Sequence, residues 1–188
     1  MSSPASPSHR RALVVGLGSV DRGDDGIGPV VAGRVRDVVL ASGDRCVDVV
    51  VHEDPTALAD AMAGMDIAVI VDAVRSGDEP GRVTCREVGR GEPALPADTA
   101  PGTAGTHGLG LATAIELSRA LDLLPARVVV VSVEAVDFEH GGPLSTPVTS
   151  AVPAAVDVIL GILGIAPEGG RCADQTHLRQ GCPGHAIG

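Results

Sequence analysis

The 188-residue chain has no lysine, asparagine, tryptophan or tyrosine, and a single phenylalanine. Without aromatic rings there is no platform on which the bases of a single-stranded nucleic acid could stack, and a formal net charge of -10 repels a polyanion of any kind. Nucleic acid is therefore excluded as a partner. All 14 basic residues are arginine, which reads as a coding bias toward Ala, Gly, Val and Arg rather than as a function. In such a chain an asparagine missing from a motif carries little meaning.

Long apolar runs are missing too. No stretch of roughly 18 consecutive apolar residues occurs, so no membrane span is predicted. The opening "MSSPASPSHRR" has no apolar segment behind its charges and does not read as a secretory signal. The chain is read as cytoplasmic. In that reducing compartment Cys46, Cys85, Cys172 and Cys182 are expected as free thiols or ligands rather than disulfide partners.

What the chain does have is alternation. "RALVVG" (11–16) and "IAVIVDA" (67–73) are short apolar runs of the kind that form buried strands, and "CVDVVVH" (46–52) and "ARVVVVSVEA" (126–135) read as two further strands. "GRVTCREV" (81–88) alternates apolar and polar residues, which puts it at a sheet edge, open to an antiparallel orientation. Between the strands, apolar residues recur at three- and four-residue steps. Ile27, Val30, Val31, Val35 and Val38 line one helix closed by Gly43. Asp54 and Pro55 suit the cap and first position of a second, 106–123 forms a third, and a fourth opens at Thr146 and Pro147 with Pro153 expected to bend it. The expectation is a three-layer α/β domain (αβα) over 11–164, its sheet mostly parallel and about five-stranded. Residues 1–10 are read as a disordered N-terminus and 165–188 as a flexible tail.

Ligands in such folds gather at the carboxyl ends of the strands. Three polar groups fall there: Asp25 after the first strand, Asp72 at the end of the third, and His107 where a Gly/Pro-rich loop enters its helix. Two carboxylates and an imidazole suit a borderline divalent cation such as zinc or nickel. Each also has a plainer reading. Asp24 or Asp25 can cap the helix that starts at Gly26, Asp72 can accept backbone N–H groups from the next turn, and His107 can be an ordinary helix-start residue.

"GLGSVDRG" superficially suggests a dinucleotide loop, but it lacks the third glycine of G-x-G-x-x-G, and the acidic pair would face the phosphates. Neither a P-loop nor a G-x-S-x-G elbow is present. Gly16 and Gly18 let the chain turn tightly off the strand.

"VVGLGSVDRGDDGIGPVVAGRV", "AVIVDAVRSGDEPG", "GTHGLGLATAIELSRAL" and "PARVVVVSVE", in this order and spacing, resemble the hydrogenase maturation proteases. The likeness runs from about Leu13 to Leu163. It implies a nickel-dependent endopeptidase that removes a C-terminal extension from the precursor of a NiFe hydrogenase large subunit once nickel is inserted. It also implies that Asp25, Asp72 and His107 are the metal-binding and catalytic set, with nickel supplied by the substrate and zinc able to substitute. An acidic residue after the second strand is common in the family. Here Glu53 stands nearest, Asp54 being the expected cap, and Glu53 joins Gly16 and Gly18 as a substrate-contact candidate. The family's Gly-x-Gly-Asn is here Gly-x-Gly-Ser, with Ser19 in the last place. The rival function is a nickel-binding accessory protein of hydrogenase assembly that does not cut. In the tail, Cys172, His177, Cys182 and His185 form a short cluster of metal-ligand types, in a spacing that matches no standard finger.

Overall fold

The computed structural model describes residues 10–89 and 106–165, the side chains of 106–109 excepted. The expected tail cluster of Cys172, His177, Cys182 and His185 lies outside the described residues.

Strand β1 (Ala12–Leu17) is followed by a 3-10 turn (Gly23–Gly26) and helix α1 (Ile27–Ser42). Then come β2 (Val47–His52), a second 3-10 turn (Pro55–Ala57), α2 (Leu58–Met62), β3 (Ile67–Val74) and β4 (Val83–Val88). Helix α3 (Thr106–Ala120), β5 (Arg127–Glu134) and α4 (Thr146–Leu163) are the remaining elements among the described residues. The five strands form one sheet in the order β2-β1-β3-β5-β4, parallel except for the β4–β5 pair at the edge.

Composition explains these positions. Every residue of β1 is buried, and β3 is buried up to its last residue, as a parallel strand covered on both faces requires. β2 has only half-buried and exposed residues and β4 buries Val88 alone, and both lie at sheet edges. On one face Ile27, Val31 and Val35 of α1 pack with Val148, Ala155 and Ile159 of α4 against Val14, Val69 and Val131. On the other, Leu58 and Met62 of α2 and Leu111 and Ile115 of α3 pack against Leu13, Val15 and Ile70. Asp54 caps the turn before α2 as expected, its side chain accepting the Thr56 N–H at 2.8 Å.

Three details differ from the sequence expectation. Neither Asp24 nor Asp25 caps α1: its cap position is Gly26, with no side-chain bond. Cys85, on edge strand β4, is disulfide-bonded rather than a thiol, whereas Cys46 is free. A compartment argued from composition says nothing of which thiols a fold brings to bonding distance. Finally, α4 is by length and composition apolar enough to cross a membrane, with a mean hydropathy of 1.6, although no unbroken apolar run marks it. Its inner face belongs to the core shared with α1.

The strand order fixes where a ligand can enter. From β1 the chain steps outward to β2 and then returns to the other side of β1 as β3, so the connections leaving β1 and β3 diverge. A crevice opens at such a reversal point, beyond the carboxyl ends of the two strands.

Candidate active site

Asp25 follows β1 and Asp72 lies near the end of β3, so the two carboxylates belong to the sheet end where the strand order reverses. Both are almost wholly buried, 2% and 1% exposed. Burial of carboxylates at the open end of a sheet is costly unless donors or cations compensate. Their depth is set by α1, whose first turn sits directly on the strand ends. A Cβ on Gly28 would lie 2.1 Å from the Leu17 carbonyl oxygen and 2.7 Å from that of Val71. A Cβ on Gly16 would lie 2.4 Å from the Gly28 carbonyl oxygen. Gly18, at φ +123°, gives the same clearance to the backbone of Asp25. What the structure gives Gly16 and Gly18 is close backbone approach.

The first loop is closed by three bonds. The Ser19 N–H donates to Asp25 Oδ2 at 2.9 Å, the Arg22 N–H to the Ser19 carbonyl at 3.2 Å, and the Asp25 N–H to the Arg22 carbonyl at 3.1 Å. The Ser19 hydroxyl donates to Glu53 Oε1 at 3.2 Å. Ser19 thus links Asp25 to Glu53, which is exposed just beyond β2. Helix α3 packs on the turn that follows, where a Cβ on Gly110 would lie 3.0 Å from the Pro55 ring. That contact brings the first turn of α3, to which His107 belongs, to the same end of the sheet. The imidazole itself lies outside the described residues. Among the described residues no three His, Cys, Asp or Glu side chains gather as a metal site.

Two further carboxylates hold the rim, and the sequence reading missed both roles. Asp24, fully buried, accepts the N–H groups of Val136 at 2.9 Å, Asp137 at 3.0 Å and Ser145 at 2.6 Å, and the Ser145 hydroxyl at 3.0 Å. Burial pushes its pKa up, but the donors from Val136, Ser145 and Asp137 together outweigh that and hold it below the ordinary carboxylate value. In return the Asp24 N–H donates to the Asp137 carbonyl at 2.7 Å. The loop after β1 is thereby fastened to the loop before α4. Glu134, buried at the end of β5, accepts the N–H of Ser76 at 2.9 Å, its hydroxyl at 2.7 Å and the N–H of Gly77 at 2.8 Å, which fastens the loop after β3. The Glu134 signal was available, since it ends an apolar run as Asp72 does. Nothing local signalled Asp24.

The arrangement can hold a cation between oxygen donors or accept a proton from water. Among the described residues no serine or cysteine is hydrogen-bonded to an imidazole, so none is set up as a nucleophile.

A model of the hydrogenase maturation protease family matches residues 54–162. The chain is 25% identical over 174 residues to the hydrogenase expression/formation protein HupD of Rhizobium leguminosarum bv. viciae, a match covering 87% of this chain and 82% of that protein. Its fold is similar to that of the hydrogenase maturating endopeptidase HybD from E. coli, with a TM-score of 0.66 and 23% identity over 82% of this chain and 92% of the other. It is also similar to that of the hydrogenase maturation protease HybD from Thermococcus kodakarensis, with a TM-score of 0.61 and 25% identity over 81% and 98%.

Proposed function

Since the chain belongs to the hydrogenase maturation protease family, we propose that it cleaves the C-terminal extension from the nickel-loaded precursor of a NiFe hydrogenase large subunit. The observation that supports this most is the pair of buried carboxylates, Asp25 and Asp72, at the sheet end where the strand order reverses. Two oxygen donors with an imidazole from the start of α3 suit a borderline divalent cation. Asp25, Asp72 and His107 would hold the nickel that arrives with the precursor, and zinc fits the same donors. Bound there, the metal supplies positive charge beside the peptide to be cut.

The protein's own part is to orient that peptide and move a proton. With no serine or cysteine set up for attack among the described residues, we take water as the nucleophile, and Asp25 or Asp72 takes its proton as general base, a role worth roughly 10²–10⁴ in rate. Glu53, exposed beside Ser19, is the side chain offered to an incoming chain, whereas the clearance over Gly16 and Gly18 is taken up by Gly28 and Asp25 of the protein itself. Reading nickel through the same carboxylates makes cutting conditional on metal loading.

The test is incubation with a nickel-loaded large-subunit precursor, with mass spectrometry to detect the released C-terminal peptide. A metal-free precursor should stay intact. Binding of the loaded precursor without any cleavage would overturn the peptidase reading in favour of an accessory role.

A further inference from the structure

Strand β2 has a side that the fold does not use. It is the last strand of the sheet beyond β1, so one edge of its main chain faces away from every other strand. Two bonds fix which residues face which way. The Ala12 N–H donates to the Cys46 carbonyl at 2.8 Å and the Gly18 N–H to that of His52 at 3.0 Å, and the register from Ala12↔Val47 to Leu17↔His52 is unbroken. By the alternation of a parallel ladder, residues 46, 48, 50 and 52 turn their main-chain groups to β1, and Val47, Val49 and Val51 turn theirs outward. Val49 shows that phase directly, since its carbonyl accepts Nη2 of Arg36 from α1 at 3.1 Å.

Sheets guard an open edge with charge, proline or a bulge, because an unguarded one recruits another strand. β2 is guarded over one half only. Asp48 is exposed near its start and Arg36 covers the Val49 carbonyl, whereas Val50, Val51 and His52 bring no carboxylate, guanidinium or proline. Val51 is 40% exposed, and among the described residues nothing bonds its outward N–H or carbonyl. The opposite edge differs. There β4 exposes Arg86 and Glu87, and Glu87 is paired with Arg127 of β5.

The unguarded half leads to the candidate site. β2 ends at His52, and the next residue, Glu53, accepts the Ser19 hydroxyl at 3.2 Å, while the Ser19 N–H reaches Asp25 at 2.9 Å. Resting on the function proposed above, we infer that the carboxyl half of the β2 edge binds the precursor's C-terminal segment as an added strand, through the main chain of Val51. An extended peptide offers alternating N–H and C=O groups whatever its side chains, and these complement an open edge. Such a strand uses the N–H of Val49 and both groups of Val51, and it leaves Arg36 in place. A second copy of this chain fits less well. Two β2 edges paired about a two-fold axis need the whole outward row, and its middle carbonyl, that of Val49, is already committed to Arg36.

Val51→Pro deletes the outward N–H and is tolerated where that N–H faces solvent, whereas Val51→Thr keeps it. Affinity for a nickel-loaded precursor, labelled near its amino terminus, is measured by fluorescence anisotropy, and cleavage is followed separately by mass spectrometry. Val51→Pro should bind roughly fivefold or more weakly, with a thermal midpoint near wild type, KM raised and kcat little changed. Val51→Thr should bind as wild type does. In wild type the precursor should slow exchange of the Val51 amide hydrogen, a readout that does not depend on how a variant folds. Equal affinity in folded Val51→Pro, or an amide that exchanges at one rate with and without precursor, overturns the inference. So does Val51→Thr losing as much as Val51→Pro, because the side chain would then be what is recognised. A wild-type dimer in ultracentrifugation that Val51→Pro dissolves, with precursor affinity unchanged, overturns it in favour of a second copy. Wild type that binds in a Val51-dependent way without cutting sinks the peptidase reading alone. Wild type that cuts, with Val51→Pro binding equally well, sinks this inference alone.

Discussion

The backbone N–H of Ser19 points at Oδ2 of Asp25, 2.9 Å away, while the Ser19 hydroxyl bonds Glu53. One residue thus orients the buried carboxylate and ties it to the exposed one. The contact to Asp25 comes from the main chain, so the serine in the place of the family's asparagine leaves it intact.

Asp25→Asn retains an oxygen to accept that N–H while it removes the charge and turns the other oxygen into an amide donor. We expect a folded protein, with a urea midpoint close to wild type, that releases the C-terminal peptide at least 100-fold more slowly. A mass-spectrometric time course checks it, and full activity would remove Asp25 from the site.

Asp24→Ala should behave in the opposite way, acting first on stability. It strips the acceptor from the N–H groups of Val136, Asp137 and Ser145, at a cost of about 3 kcal/mol. For a domain of this size that is a fall of roughly 6–12 °C in Tm. Ser145→Ala, which loses only the hydroxyl bond, should cost about 1 kcal/mol. Calorimetric scans of the two variants test the ranking.

The same carboxyl predicts an acid limb. Its pKa is lower in the folded chain than the ordinary 3.8, so the unfolded chain takes up the proton first as pH falls. The stability it contributes is complete well above pH 3.8 and disappears as pH drops through the folded value. Urea midpoints measured from neutral pH into that range should fall for wild type, with part of the fall absent in Asp24→Asn. Parallel curves would contradict the network.

Gly28→Ala places a methyl group 2.1 Å from the Leu17 carbonyl oxygen. Neither backbone can yield without lifting α1 off the strands, so we expect a loss of about 3 kcal/mol or more together with loss of processing. Gly33→Ala, on the same helix where a Cβ meets nothing within 4 Å, is the control and should be neutral or slightly stabilising. Chemical denaturation of both variants settles it.

Much of the architecture was legible because it rests on local pattern. The apolar runs of β1 and β3 indicated central strands, the alternation in 81–88 indicated the antiparallel edge, and Asp54 with Pro55 marked a helix start. Asp25 and Asp72 were legible by the same logic, as carboxylates at strand ends. The division of labour between Asp24 and Asp25 was not. Adjacent in sequence, they serve different partners, Asp25 accepting from a residue six positions away and Asp24 from residues 112 to 121 positions away. Only closure of the fold selects those distant donors. Glu134 holds the loop after β3 for a similarly long-range reason, its partners lying 57 and 58 residues back.

The contact of Gly28 with the ends of β1 and β3 works as a depth gauge. A loop alone would leave Asp25 to drift by its own slack, whereas backbone resting on backbone stops the helix at one height and the aspartate with it. Transplanting the first loop into another α/β scaffold would therefore reproduce the sequence but not the placement. The unit that has to move intact runs from Gly16 to Gly28.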